Sequence, residues 1–332
     1  YQSDQKPVSP DFPEMELYQH IDPKVVERYR YLVGDPHAIA CSGSLHRVPE
    51  LIWSNWLERL VAERWEQRTA DWYHSQDSPG DWRNLLYHRL AANFGFHVNR
   101  DAFLQLARSL PLNIIARHRD HLFQVEALLF GQAGLLPKNG QDDYIRKLEQ
   151  EYHFLRRKYG LEPMPAHLWK FMRMRPVNFP TIRIAQFAAL MHQSEALFSK
   201  MMEASTAEHL QACLRVSASS YWDSHYRFGV VTREVSPKYI GADAIENILI
   251  NTVAPMQYFY AKQLGKTTLH ENSLQLLQSL PPENNNIIRE WKRLKKAPED
   301  AAQSQALLQL FNHYCNGRAC LNCAAGNFIM KQ

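Results

Sequence analysis

Apolar residues recur at spacings of three and four along most of this chain, a pattern typical of amphipathic α-helices. The longest stripe runs from Leu51 to Trp65 and predicts one continuous helix. Strand-like segments are confined to two short stretches, at 96–98 and 215–219. We therefore predict a mainly α protein, a multi-helix globular array with few or no short strands.

Local residue signals predict several helix boundaries. Asp22 followed by Pro23 fits an N-cap with proline at the first helical position. Asp120 is a further predicted N-cap, and Thr268–Glu271 has the spacing of a capping box. Pro255 is expected to kink or end the helix before it, because proline lacks a backbone N–H.

Changes in composition along the chain predict its organisation. Three prolines in residues 1–20 predict an extended connector. The helical periodicity lapses near 230–241, which we interpret as a boundary. A helical domain would then cover 21–230, and a C-terminal helical subdomain carrying a cysteine cluster would cover 241–332.

Composition excludes several classes of protein. Of the 332 residues, 45% are hydrophobic and 22% charged, which excludes extensive disorder and collagen-like repeats. No apolar run reaches the ~18 residues of a membrane span. Five cysteines are too few for a disulfide scaffold, so a reducing, cytoplasmic location is expected. The net charge of +4 does not by itself indicate nucleic-acid binding.

The most specific feature of the sequence is a cysteine trio, Cys315, Cys320 and Cys323. Thiolates are preferred ligands of zinc and of iron–sulfur clusters, and a closed tetrahedral site needs a fourth ligand. The candidates for that ligand are Cys41, Cys213 and His313. We favour Cys41, because it lies in a loop-like Cys-Ser-Gly-Ser stretch. The alternatives are buried, inert thiols, or a redox pair of Cys320 and Cys323.

A second feature combines guanidinium groups, an amide and the start of a helix at Pro180. Guanidinium groups and free N–H groups bind phosphate or carboxylate well, although structural ion pairs are the more common explanation for such arginines. Two further basic clusters lie near 117–121 and 292–296. The candidate anion-binding or nucleic-acid-binding residues are Arg117, Arg173, Arg175, Asn178, Arg183, Lys292 and Arg293.

A third segment, Tyr221–Phe228, contains Asp223 and His225 among aromatic residues. These residues could form an acid–base pair or stack on a nucleobase, but such runs more often fill a core. Gly265–Thr268 imitates the end of a phosphate-binding loop without its leading glycine. No catalytic motif is complete in this sequence.

Several phrases resemble a known bacterial family, domain of unknown function 2851. They are the segments 93–96, 107–111, 126–132, 175–183 and 250–252, together with the cysteine spacing at the C-terminal end. The resemblance implies that longer members carry an additional N-terminal region, rich in histidine and acidic residues and nuclease-like in appearance. We expect this chain to begin after that region. Any catalytic carboxylates would then lie outside it, and the missing region would be one of its partners.

Two functional hypotheses follow. In the first, the chain is the nucleic-acid-contacting helical part of a nuclease-like protein, with a structural metal bound by Cys41, Cys315, Cys320 and Cys323. In the second, it is a non-catalytic scaffold or protein-interaction module. A basic surface with strongly salt-dependent binding would favour the first, and a large exposed apolar patch the second.

Overall fold

The computed structural model describes residues 20–72, 80–138, 142–193, 195–204 and 206–332. The predicted connector therefore lies, except for residue 20, outside the described residues. The described α-helices are α1 Pro23–Gly34, α2 Glu50–Thr69, α3 Trp82–Phe94, α4 Arg100–Ser109, α5 Leu112–His118, α6 Leu122–Gln132, α7 Asp143–Tyr159, α8 Pro180–Gln193, α9 Leu197–Glu203, α10 Ala207–Leu214, α11 Ala242–Ile248, α12 Ala254–Leu264, α13 Thr267–Gln278, α14 Asn286–Arg293, α15 Ala301–Gln309 and α16 Ala324–Lys331.

The prediction of a mainly α protein is confirmed. Strands β1 (His225–Arg227) and β2 (Val230–Val231) pair antiparallel and form the one sheet in the described residues. The two predicted strand segments do not form strands. Residues 96–98 lie in a turn, and Ser217 contributes only an isolated bridge. No helix in the described ranges combines the length and the hydrophobicity needed to cross a lipid bilayer.

The chain divides into two compact units. The first combines the N-terminal part of the chain up to Arg64 with Pro282–Gln332, and the second is the continuous stretch Trp65–Pro281. The segment 230–241, where the sequence predicts a boundary, lies within the second unit.

Aromatic side chains build the core of the first unit. Trp53 packs against Trp291 with ring centroids 5.9 Å apart, and Trp56 meets Tyr314 edge to face at 5.3 Å. Such pairs add to the free energy gained by burying apolar area. The Arg64 guanidinium is satisfied within the same unit by a 2.6 Å hydrogen bond to the Gln305 side chain.

The core of the second unit is formed around α6 and α8, whose side chains are mostly buried. Gly131 in α6 lies directly under the Tyr152 ring of α7, where an added Cβ would overlap the ring. The glycine is therefore required by the close approach of the two helices.

Some helix boundaries agree with the local signals and others do not. The Asp22 side chain accepts a hydrogen bond from Lys24 N, and α1 begins at Pro23 as predicted. In contrast, α6 has His121 rather than Asp120 as its N-cap. Helix α13 begins at Thr267, so Thr268–Glu271 lies inside the helix and forms no capping box.

Pro255 does not end the helical segment in which it lies. A π-helical turn, Leu249–Val253, connects α11 to α12 directly before this proline. The wider π turn relieves the clash between the proline ring and the carbonyl group one turn earlier. It also leaves a carbonyl group without an i→i+4 N–H donor, and proline has no N–H to donate.

Candidate metal centre

Four cysteines from two distant parts of the sequence line one small cavity of the first unit. Cys41, Cys315, Cys320 and Cys323 surround about 20 Å³ of space, together with Ala40, Tyr314 and Gly326. Cys41 directly precedes a 3₁₀ segment, Ser42–Arg47. The structure therefore brings the predicted fourth residue, Cys41, to the C-terminal trio.

Short irregular segments position the trio. Cys315 ends a π-helical segment, Leu310–Cys315, that continues α15. Cys320 begins a 3₁₀ turn, and Cys323 is the N-cap of α16. Arg318, between them, has a positive φ of 52°. π-Helical segments and strained backbone are both frequent at functional sites.

Side chains from both parts of the unit hold the cavity together. Leu32, Cys320 and Met330 form one buried apolar cluster, against which Cys41 packs. The Arg28 guanidinium donates to the Met330 carbonyl at 3.0 Å. The Arg318 guanidinium donates to the carbonyls of Asp35 (2.8 Å) and His37 (2.7 Å), a few residues before Cys41.

Gly326 allows α16 to approach the cysteine loop. A Cβ at this position would lie 2.5 Å from the Cys320 carbonyl oxygen, which is inside van der Waals contact. The neighbouring backbone N–H groups of Ala325 and Gly326 face the Cys323 thiol and lower its pKa. Helix N-terminal N–H groups stabilise a thiolate in this way.

Burial keeps the four thiols protonated in the absence of a cation. Burial, together with charge repulsion from Cys323 and Cys320, raises the pKa of Cys41 to about 12. Burial also raises the pKa of Cys315, Cys320 and Cys323. The raised pKa values do not fit the redox alternative for Cys320 and Cys323, since an active redox pair has a lowered thiol pKa.

One buried donor faces the cluster without a completed hydrogen bond. The indole N–H of Trp56 has no hydrogen-bond partner among the described residues. It lies close enough to Cys323 to lower the pKa of that thiol. An N–H donor aimed at sulfur is a typical outer-shell partner of a metal-bound thiolate.

The side chains do not adopt a ligation geometry as they stand. Across the described ranges, no group of three or more His, Cys, Asp and Glu side chains is arranged to hold a metal ion. The other two candidate ligands lie elsewhere. Cys213 belongs to α10 in the second unit, and His313 is exposed and does not line the cavity.

The segment 173–183 separates into two parts with different roles. Arg183 is buried, and its guanidinium donates to Asn178 Oδ1 at 2.6 Å and to Gln186 Oε1 at 3.0 Å. Arg183 and Asn178 thus brace a corner of the fold through hydrogen bonds rather than ion pairs. Arg173 and Arg175 are exposed.

The remaining basic candidates are exposed on two units. Arg117 lies on α5 in the second unit, whereas Lys292 and Arg293 lie on α14 in the first. Arg293 pairs with Glu290 at 2.9 Å on the same helix.

A family model described as "Protein of unknown function (DUF2851)" matches residues 3–286. The chain belongs to the DUF2851 family. The matched range contains Cys41 and ends before the cysteine trio. No curated protein and no solved structure shows significant similarity to the chain.

In this DUF2851 chain the segment Tyr221–Phe228 fills space and forms no Asp–His pair. The Tyr221 ring is stacked between Tyr144 and His225, with centroid separations of 4.0 and 4.1 Å. The Nδ1 of His225 lies 2.8 Å from the Tyr221 carbonyl oxygen and 3.0 Å from Ser224 Oγ, so Asp223 is not its partner.

Sequence reasoning missed one buried acid beside that segment. Glu126 is 1% exposed, and its carboxylate accepts a hydrogen bond from the Tyr144 hydroxyl at 2.9 Å. Ser219 and Trp222 lie nearby, but neither side chain completes a hydrogen bond. Burial raises the pKa of Glu126 to about 7. The available signal was that Glu126 is the only charged residue in α6.

Proposed function

We propose that the first unit is a metal-binding module in which Cys41, Cys315, Cys320 and Cys323 hold one zinc ion. The observation that carries this proposal is the shared cavity of four thiols from two distant parts of the chain. Rotation of a cysteine between staggered χ1 rotamers moves its sulfur by roughly 3 Å. Such rotations could therefore bring the sulfurs of a shared cavity into ligation.

Cavity size favours a single ion over an iron–sulfur cluster. The space of about 20 Å³ is close to the ~10–15 Å³ that one water molecule requires. A four-iron cluster with its sulfides is several times larger and would force the surrounding helices apart. One zinc ion fits between the thiolates without that change.

A four-cysteine site would support structure rather than catalysis. With all four positions of a tetrahedral zinc taken by protein thiolates, none remains for water or substrate. The positive ion would also reverse the electrostatics of the cavity, because a coordinating thiol is deprotonated outright. The N–H groups of Trp56, Ala325 and Gly326 would then face a negative Cys323 sulfur.

Metal analysis of the purified chain tests the proposal. We expect close to one zinc per chain, no visible absorbance of an iron–sulfur cluster, and thiolate-to-metal bands after cobalt substitution. Cys315→Ser and Cys320→Ser should reduce bound zinc at least tenfold. Cys213→Ser is the matched control, because Cys213 lies in the second unit, and it should retain the metal. Zinc-free protein, or equal zinc in Cys315→Ser, would contradict the proposal.

A second candidate function, nucleic-acid contact, is favoured by one loop of the second unit. Arg173 and Arg175 are exposed, and their guanidinium groups have no ion pair or hydrogen bond within the described residues. The loop is nevertheless firmly held. The Asn99 amide bonds both the N–H (2.8 Å) and the carbonyl (2.9 Å) of Lys170.

The other side of this loop is also fixed. The Arg227 guanidinium lies over the rings of Phe171 and Phe179, at 5.3 and 4.8 Å from their centroids. Two guanidinium groups on a rigid loop lose little conformational entropy on meeting phosphates. We assign contact and not cleavage to this loop, since no catalytic residue is assigned in this chain.

Salt titrations test the contact. We expect single-stranded DNA or RNA to bind at low salt, with log affinity falling linearly with log salt concentration. The double variant Arg173→Gln, Arg175→Gln should reduce that slope by about 1.5, as expected for two lost phosphate contacts. Arg157→Gln with Lys158→Gln, an exposed pair on α7, is the charge-matched control and should reduce it less. No binding to any single- or double-stranded nucleic acid at low salt would leave the scaffold alternative.

A further inference from the structure

A second, larger cavity lies wholly within the second unit and is separate from the cysteines. It encloses about 300 Å³ between α3, α5, α8 and α9. This is the lower end of the size range of small-molecule sites. Its walls are mainly aliphatic and aromatic, among them Leu86, Leu90, Ile115, Met191 and Phe198.

Besides two arginines, the only described polar residues that line this cavity are Tyr87 and Ser199. The Tyr87 ring lines it, but its hydroxyl donates to the Leu110 carbonyl at 3.0 Å. Complete burial also raises the pKa of Tyr87, so this hydroxyl stays neutral. Water in such a space has few hydrogen-bond partners, and an alkyl chain replaces it favourably.

Two guanidinium groups complete the lining. Arg83 and Arg119 both line the cavity and both reach solvent, which puts them at its opening. The Arg83 guanidinium has no ion pair or hydrogen bond in the described part of the chain. Arg119 meets only two exposed carboxylates at long range, Glu195 at 3.4 Å and Asp120 at 3.9 Å.

The ion pairs that Arg119 makes are weak enough for a ligand carboxylate to replace them. The side chains of Glu195 and Asp120 are 80% and 88% exposed, and ion pairs between exposed side chains contribute little to stability. The backbone of Arg119 is held in place, since its carbonyl lies 2.5 Å from His192 Nδ1. A ligand carboxylate can therefore displace Glu195 without rearranging α5.

We propose that this cavity binds a medium-chain fatty carboxylate, with its alkyl chain in the apolar interior and its carboxylate at Arg83 and Arg119. A methylene group occupies about as much volume as a water molecule in liquid water, ~30 Å³, so 300 Å³ holds about ten carbons. Each buried methylene is expected to strengthen binding about fourfold. Chain length and head-group charge are therefore both determinants of affinity.

Calorimetric titration of the full chain with decanoate, below its micellar concentration, tests the proposal. We expect one molecule bound per chain and at least a hundredfold weaker binding of butyrate, which has six fewer methylenes. Decyltrimethylammonium has the same chain with a positive head group, and it should bind at least tenfold more weakly than decanoate. Equal affinity for the cation, or several decanoate molecules per chain, would overturn the proposal.

Variants separate the head-group contact from general hydrophobic binding. The double variant Arg83→Gln, Arg119→Gln alters only solvent-reaching side chains, so it should fold, and it should bind decanoate at least tenfold more weakly. Its affinity for the neutral decanol should stay within threefold. Arg108→Gln, an exposed arginine on α4 away from the cavity, is the control and should bind decanoate as the parent does. Unchanged decanoate affinity in the double variant would refute the assigned carboxylate site.

Discussion

Removing zinc from the proposed Cys41–Cys315–Cys320–Cys323 centre is expected to lower the unfolding temperature of the first unit by more than ten degrees. Structural zinc binds zinc-finger peptides with ~10–16 kcal/mol, and that binding energy stabilises the fold. Without zinc the first unit would still have an aromatic core, which includes Trp53 and Trp291. We therefore expect a smaller loss, about 3 kcal/mol, which corresponds to roughly 12–24 degrees for a unit of this size.

Differential scanning calorimetry with and without a strong chelator measures this loss. The parent protein and Cys213→Ser should both lose stability on chelation and regain it with added zinc but not with magnesium. Cys315→Ser should be less stable from the start and insensitive to the chelator. A parent protein whose melting is unchanged by chelation, at a demonstrated loss of zinc, would exclude a structural role for the ion.

The second large effect concerns Glu126 and pH. In the unfolded chain this carboxyl ionises near its ordinary pKa of 4.5, whereas in the folded chain its pKa is about 7. Between these values the folded state binds the extra proton. The free energy of unfolding therefore falls as pH rises from 4.5 to 7, and the loss is complete above that range. The difference in pKa corresponds to about 3 kcal/mol.

Glu126→Gln removes this titration while keeping the shape of the side chain and an oxygen for the Tyr144 hydroxyl. Urea unfolding at pH 5.5, 7 and 8 should show a variant more stable than the parent at pH 8 by up to about 3 kcal/mol. The advantage should shrink as pH falls. Glu203→Gln, at the exposed end of α9, should follow the parent at every pH. Parallel pH profiles for the parent and Glu126→Gln would contradict the raised pKa.

Features encoded by neighbouring residues were predictable from the sequence. The Asp22-Pro23 start of α1 depends on one side chain and the next backbone N–H groups, so local pattern sufficed. The Thr268–Glu271 pattern failed because the N-cap of α13 is Lys266, two residues before Thr268. Pro255 was expected to interrupt a helix, but a π turn, which leaves no residue signature of its own, accommodates it.

Features that depend on tertiary packing could be predicted from the sequence only in part. Cys41 could be matched to the C-terminal trio because only Cys41, Cys213 and His313 were candidates and Cys41 alone lies in a loop-like Cys-Ser-Gly-Ser stretch. Arg183 gave no such signal, since a buried arginine and an exposed one look alike in sequence. The cavity beside Arg119 is formed by four separate helices, and no local pattern predicts the space between them.

The first unit is assembled from two stretches with Trp65–Pro281 between them. During translation the whole of the intervening stretch is synthesised before Pro282–Gln332, the second part of the first unit. Three of the four cysteines that we propose as zinc ligands lie in that second part. We therefore expect zinc to be acquired only after the intervening stretch has been synthesised, and a polypeptide cut short before Cys315 would leave Cys41 without the other three proposed ligands.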